Sequence, residues 1–377
     1  MTNIFLGVSG HGYGHLSQVV PVANKLLTYL PDARFYIHCN LPTEVIEERL
    51  NTGNFVHNKV NLDIGLVQIT PLEYDVQATF KAYQALYSTY SERVSKLCEF
   101  FSESNIDLVI ADIPFLAIEA ASQSSIPSVA IASLSWDKVI QRCLDDSQQE
   151  VREFVDMICT SQAKTNLTLH PSPSMKLDSF PEGQSIPPIL LEGKPVADLR
   201  EKMGITKADE RKIVLVSLGG MKTDNLPIDA LSRDERFHWL INAEFMSESD
   251  HLHAIPRLKG IRYRDLVACV DAIVSKPGYG TAVEAVRYQL PFVFTCRGDF
   301  PDEPSIVEWL EAHSCCRQIS KNEWLSGEFG DYLAELMNQP LKKQVACNGD
   351  EIAAKMIYET FFSDSEKSLT STDIRDR

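Results

Sequence analysis

No apolar run in the 377 residues approaches the roughly 20 that a membrane-spanning helix needs, so no integral membrane association is expected. Basic residues are scarce: 36 Lys and Arg stand against 52 Asp and Glu, a formal charge of −16. That balance speaks against nucleic acid as a partner, because phosphate binding wants clustered Lys and Arg. It speaks more weakly against docking on anionic membranes. No C-x-x-C pair occurs, and the nine cysteines are an odd count in which Cys315 and Cys316 are adjacent and cannot easily bridge each other. A reduced, cytoplasmic protein is expected. The start, Met1 to Val8, lacks the basic residues of a signal peptide and reads as a first strand. No repeat of fixed period is found. What remains is an apolar content of 44% and a charged content of 23%, those of a soluble globular protein. The length is natural for two domains of ordinary size.

Strand-like and helix-like patterns alternate from the beginning. Ile4–Val8 is an apolar strand, followed at helical spacing by Leu16, Val19, Val20, Ala23, Leu26 and Leu27. Phe35–Cys39 and Val67–Ile69 read as further strands, Thr43 with Glu47 as a helix start, and Phe80–Phe101 as one long amphipathic helix. Leu108–Ala111, Ile118–Ala121 and Val129–Ile131 repeat strand, helix, strand. Such alternation predicts parallel sheets covered by helices on both faces. Between about Leu169 and Pro195 the pattern fails in a proline-rich stretch that reads as an irregular linker. It restarts with Ile213–Leu218, and His238–Asn242, Ala272–Ser275 and Pro291–Thr295 supply later strands.

Two glycine loops carry the chemistry. Ser275-Lys276-Pro277-Gly278-Tyr279-Gly280-Thr281-Ala282-Val283-Glu284 follows the apolar run Val267–Val274 and leads into a segment with helical spacing. A strand-to-helix glycine turn points several backbone N–H groups at one spot, where the helix dipole adds positive charge, and so predicts a diphosphate site. Glu284, about one turn inside, could accept hydrogen bonds from ribose hydroxyls. Any strand-to-helix turn in an α/β protein also favours glycine, and the loop alone does not separate the two readings. The other loop, Ser9-Gly10-His11-Gly12-Tyr13-Gly14-His15, directly follows the first strand and so lies where open parallel sheets bind ligands. Its glycine spacing is not G-x-G-x-x-G, and no acidic residue is convincingly placed for an NAD ribose. His11 and His15 stand four apart but have no clear third ligand, so no metal site is expected. Asp112 ends the strand Leu108–Ala111, where a carboxylate could orient a histidine base. It could equally cap the helix that follows near Pro114.

These residues resemble a family. Gly12-Tyr13-Gly14-His15-Leu16 and the helix after it look like the opening of GT-B fold glycosyltransferases, such as the plant UDP-sugar transferases and the peptidoglycan N-acetylglucosaminyltransferase. The closer resemblance is to the glycosyltransferase-like N-terminal region of plant L-arabinokinase. It is carried by the first loop, Ser135-Trp136-Asp137, Gly278 to Ala285, Leu290-Pro291-Phe292-Val293-Phe294 and Asp302-Glu303-Pro304. The resemblance implies that His15 deprotonates an acceptor hydroxyl and that Asp112 pairs with it. It places Gly10, His11, Gly12, Gly14 and Trp136 on the acceptor side. It implies a diphosphate held by Gly278, Tyr279, Gly280 and Thr281 with the loop Gly219-Gly220, and Lys276 is placed on the donor side. Glu284 would take the ribose, Arg262 and Tyr263 the base, and Asp302 and Glu303 the donor sugar, where the family often has glutamine.

The expected architecture is GT-B, two doubly wound Rossmann-like domains facing across a cleft. The expected boundaries are an acceptor domain 1–170, a linker 171–195 and a nucleotide-sugar domain 196–345. A C-terminal helix 346–362 would return to the first domain, and 363–377 would be a disordered tail. The resemblance implies transfer of a sugar from a nucleotide diphosphate sugar, UDP-linked, to a hydroxyl, and the lack of a basic patch in the N-terminal half leans toward a soluble acceptor. Transfer would be inverting and without an obligatory cofactor or metal; Asp299 and Asp302 do not make a D-x-D pattern. Sugar phosphorylation is not expected, since no glycine/serine-rich ATP loop is found. A nucleotide-sugar hydrolase or epimerase on the same fold, or a non-catalytic nucleotide-sugar-binding module, remains open at this level.

Overall fold

The chain alternates strand and helix into two parallel sheets, seen in a computed structural model that describes residues 1–218, 226–242, 249–255, 258, 260–298 and 300–363. Its strands in chain order are β1 Asn3–Val8, β2 Arg34–His38, β3 Phe55–Asn58, β4 Gln68–Thr70, β5 Glu73–Tyr74, β6 Leu108–Asp112, β7 Ser128–Ile131, β8 Leu167–Pro171 and β9 Gln184–Ile186. There follow β10 Lys212–Val216, β11 Phe237–Ile241, β12 Leu252–Ala254, β13 Ala272–Ser275, β14 Phe292–Thr295 and β15 Cys316–Ile319.

The chain divides into two compact units: Met1–Val67 with Asp75–Leu190 and Cys347–Arg377, and Gln68–Tyr74 with Leu191–Ala346. In the first unit seven strands run in the order β3-β2-β1-β6-β7-β8-β9, and every neighbouring pair is parallel. Strands β6 and β7 are buried along their whole length, which is why they read as unbroken apolar runs. One face of the sheet is closed by Leu16, Val19, Val20 and Ala23 of the helix Tyr13–Leu26. The helix Gly349–Phe361 adds Ala353, Ala354 and Ile357 to the same core. That last helix starts in tight contact: a Cβ on Gly349 would stand 2.0 Å from the carbonyl oxygen of Pro187. Gly349→Ala is therefore expected to destabilise the first unit by about 1–3 kcal/mol through forced backbone movement. A melting temperature equal to the parent's would show that the contact yields without cost.

The second unit holds six parallel strands in the order β12-β11-β10-β13-β14-β15. One face carries Leu215, Ile273, Phe292, Ala282 and Val286, and the other Val216, Trp239, Trp324 and Phe329.

Several local readings change. The run at Val67–Ile69 is not a strand of the parallel sheet: β4 pairs antiparallel with β5 alone, and Leu72 at their turn packs against the second unit's core. The long helix is two, Val76–Ser88 and Tyr90–Glu103, broken at Thr89, whose hydroxyl donates to the Ala85 carbonyl. The apolar stripe continues across that single residue, so the periodicity shows no break. The run Val267–Val274 combines the last residue of the helix Tyr263–Val267, a turn and most of β13. Inside the proline-rich stretch β9 adds an edge strand to β8; three residues are too short to show alternation.

Candidate functional site

In the first unit β1 lies between β2 and β6, and the strand order reverses direction there. Open α/β sheets bind ligands at the carboxyl ends of strands at such a switch point. Both predicted residues arrive there. Asp112 is the last residue of β6, in register with Val8 of β1, and its carbonyl accepts from Ser9 N–H at 2.9 Å. Gly12 turns the chain at φ 93°, a conformation that favours glycine, and the helix Tyr13–Leu26 begins at once. His15 thus sits in its first turn, and its Nδ1 is 3.0 Å from Asp112 Oδ1. The two side chains are 7% and 1% exposed, so the pair is almost wholly withdrawn from water. Burial pushes the Asp112 carboxyl up, against the pull of His15. Its Oδ2 has no hydrogen-bond partner among the described residues. Asp112 does not cap the helix Phe115–Gln123, which begins after Pro114 with no side-chain cap.

Around this pair stands a shell the sequence reading only partly named. His11 donates from Nε2–H to the Leu66 carbonyl, 3.1 Å away, and stands edge-on to Trp136 at 5.2 Å between ring centres. The Trp136 ring is 5.9 Å from that of His15 and fully buried, so it backs the pair and offers no surface of its own. Gly65, at φ 63°, passes so close that a Cβ there would meet His11 at 2.7 Å and Trp136 at 3.0 Å. Gly10 and Gly14 lie in the same loop and helix start. Asp63 is the residue that sequence reasoning missed. It is buried, its Oδ2 accepts from Trp136 Nε1 at 2.8 Å, and its Oδ1 accepts from Ser9 Oγ at 3.1 Å.

In the second unit β13 ends at Ser275, and the helix Tyr279–Arg287 opens after Gly278. Gly280 and Thr281 lie in its first turn, where backbone N–H groups point outward along the axis and the dipole favours an anion. Glu284 lies further along the helix, half-buried, and its charge raises the Tyr263 hydroxyl after burial has done so first. Ser217, the residue after β10, opposes that rise, so Tyr263, Glu284 and Ser217 are near one another. Arg262 instead turns onto its own helix: its Nε donates to Asp265 Oδ2 at 2.6 Å. Gly219, Gly220 and Asp299 lie outside the described residues.

Lys276 is held beside a buried ion cluster. Arg297 donates from Nε to Glu303 Oε1 at 2.7 Å and from a terminal nitrogen to Asp302 Oδ1 at 3.1 Å, while its guanidinium covers the Phe300 ring at 3.4 Å. Asp302 and Glu303 are thus both engaged by Arg297, a residue the sequence reading did not name although it follows β14 by two positions. Burial brings the Lys276 ammonium down to about 8; Arg297 adds to the fall, and Asp302 and Glu303 oppose it. Its Nζ lies 3.5 Å from the Pro71 carbonyl. Among the described residues no group of three or more His, Cys, Asp or Glu is placed to hold a metal ion. No helix among them is long and apolar enough to cross a membrane.

No protein-family model matches the chain. It is 26% identical over 358 residues to L-arabinokinase of Arabidopsis thaliana, covering 94% of this chain and 34% of that protein. The chain therefore spans about a third of that relative's length. Among solved structures, the glycotransferase of kitacinnamycin superposes with a TM-score of 0.66 at 15% identity, over 95% of this chain and 99% of the other. CalG4, the calicheamicin glycosyltransferase, gives 0.62 at 14% identity, over 99% and 97%. UGT89C1 of Arabidopsis thaliana, solved with UDP, gives 0.59 at 12% identity, over 96% and 94%.

Proposed function

We propose that this chain, which has the α/β GT-B fold, transfers a sugar from a nucleotide diphosphate sugar, UDP-linked, to a hydroxyl acceptor. The observation that carries the reading is the buried His15–Asp112 pair at the sheet's switch point. With Nδ1–H donating to Asp112, the neutral imidazole carries its lone pair at Nε2. That nitrogen takes the acceptor's proton as the acceptor oxygen bonds to the anomeric carbon, and the bond from that carbon to the diphosphate oxygen breaks. Attack opposite the leaving group inverts the configuration. Asp112 stabilises the imidazolium that forms, and general-base help of this kind is worth about 10²–10⁴ in rate. The departing diphosphate carries away the bonding pair as negative charge, which the first turn of Tyr279–Arg287 and Lys276 stabilise with no metal required. Glu284 takes the ribose hydroxyls and Tyr263 the base, with Arg262 beside it held by Asp265, and Asp302 and Glu303 border the donor sugar while held by Arg297.

Incubation with a panel of UDP-sugars, with and without small hydroxyl acceptors, tests this. Nucleotide release that needs the acceptor and yields a glycosylated product is expected. Release of free sugar regardless of acceptor would mean a hydrolase instead.

The Lys276 assignment has its own pH signature. The ammonium is charged below about 8 and loses its proton above it. Between about pH 7 and 7.5, where the terminal phosphate of UDP is already mostly ionised, affinity is therefore expected to be nearly flat, and to weaken above by up to about tenfold per pH unit. Lys276→Met should bind more weakly and lose that alkaline fall. An affinity independent of pH up to 9.5 in the parent would remove Lys276 from the diphosphate.

A further inference from the structure

We propose that Asp63 is a positioning residue for His15: a second fixed carboxylate that, with Asp112, supports the imidazolium and sets the pH at which His15 gains its proton. The proposal rests on the reading of His15 as the base.

Asp63 is tied to the pair from two sides. Ser9 bridges the two carboxylate-bearing segments, since its N–H donates to the Asp112 carbonyl at 2.9 Å and its hydroxyl to Asp63 Oδ1 at 3.1 Å. Trp136 bridges Asp63 to the rings, donating Nε1–H to Oδ2 at 2.8 Å while its ring meets His15 at 5.9 Å and His11 at 5.2 Å. Both Asp63 oxygens therefore accept, the pattern of an ionised carboxylate. Burial raises its carboxyl; the Trp136 hydrogen bond and the positive charge of His15 lower it, and Asp112 raises it. The coupling is reciprocal. Two buried carboxylates facing one neutral imidazole repel each other, and a proton on His15 relieves both. The arrangement makes His15 a stronger base than Asp112 alone would.

Other titratable groups stand one step further out. His11, in the loop after β1, meets Trp136, and Tyr83, in the helix Val76–Ser88, is acted on by Asp63 and by Asp137 and Cys143 of the helix Trp136–Cys143. Tyr83 stays neutral, raised by burial first and then by Asp63. Asp137 is held by the hydroxyls of Ser135 and Ser179. Asp63 is the member whose two hydrogen bonds reach residues in contact with His15 and Asp112.

The experiment follows the His15 ring by NMR on 13C-histidine-labelled protein, in the parent and in Asp63→Asn. The substitution should lower the His15 midpoint by about half a pH unit or more, because a neighbouring negative charge favours the imidazolium. In the unmodified parent, the Trp136 indole N–H resonance should move with the same midpoint as His15, which keeps the test valid if the variant folds poorly. An unmoved midpoint in the variant, or an indole N–H blind to the His15 titration, would overturn the proposal. The acid limb of turnover should follow the His15 midpoint downward in Asp63→Asn. A ring that shifts while the limb stays would leave the role of Asp63 standing and remove His15 as the base.

Discussion

Replacing His15 by alanine is expected to cut turnover by about 10² or more while leaving UDP affinity within a few fold. His15 belongs to the first unit, whereas the turn Gly278–Thr281 belongs to the second, and the proposed role of the imidazole is confined to the proton of the acceptor. Asp112→Asn should be nearly as damaging, because the imidazolium loses its charge partner. The double variant should then be little worse than either single one, as expected of groups acting as a unit. The structure adds a control. With the amide oxygen kept toward His15 Nδ1, the new NH₂ would occupy the place of Oδ2, which has no hydrogen-bond partner among the described residues. A buried unpaired donor costs about 1–3 kcal/mol, so the asparagine variant should also melt earlier, and turnover must be read well below its melting temperature. His11→Ala should be milder, since its ring meets the Leu66 carbonyl and the Trp136 edge. An active His15→Ala, or additive losses in the double variant, would break the pair into two unrelated residues.

Glu284→Ala should weaken UDP by about one to two orders of magnitude. A carboxylate accepting a ribose hydroxyl makes a charge-assisted bond worth about 1.5–3 kcal/mol when partly desolvated. Glu284 is half-buried and close enough to Tyr263 for its charge to act on that hydroxyl, so it stands in a partly dry setting. Calorimetry with UDP and its 2′-deoxy analogue on parent and variant separates the roles. The parent should prefer the ribonucleotide and the variant should have lost most of that preference. A solvated helix glutamate would give equal affinities in all four combinations, for surface charges contribute about 1 kcal/mol or less.

The residues that sequence reasoning found are those fixed by a strand end. Ile4–Val8 and Leu108–Ala111 are apolar runs with one abrupt polar successor, and parallel sheets collect such successors at one edge. His15 and Asp112, 97 apart, could be paired on that rule. Asp63 could not. It follows no apolar run, and its partners Ser9 and Trp136 lie 54 and 73 residues away, one in the loop after β1 and one at the start of the helix Trp136–Cys143. Arg297 was visible as a charge just past β14, but its grip on Asp302 and Glu303 depends on a turn that brings the helix Glu303–His313 back over the strand end. The hairpin β4–β5 carried a strand-like composition without a sign of its partner, because pairing in a two-strand ribbon is decided by the turn and by where Leu72 is buried.

The claim on which the rest depends is that the turn Gly278–Thr281 holds a nucleoside diphosphate, and calorimetric titration of the parent protein with UDP and UMP at pH 7 tests it most directly. The expected result is saturable binding at one site, with UDP tighter than UMP by about tenfold or more, because only the diphosphate places its second phosphate on the helix start and Lys276. Equal affinities for the two, or no binding of UDP at millimolar concentration, would contradict the account.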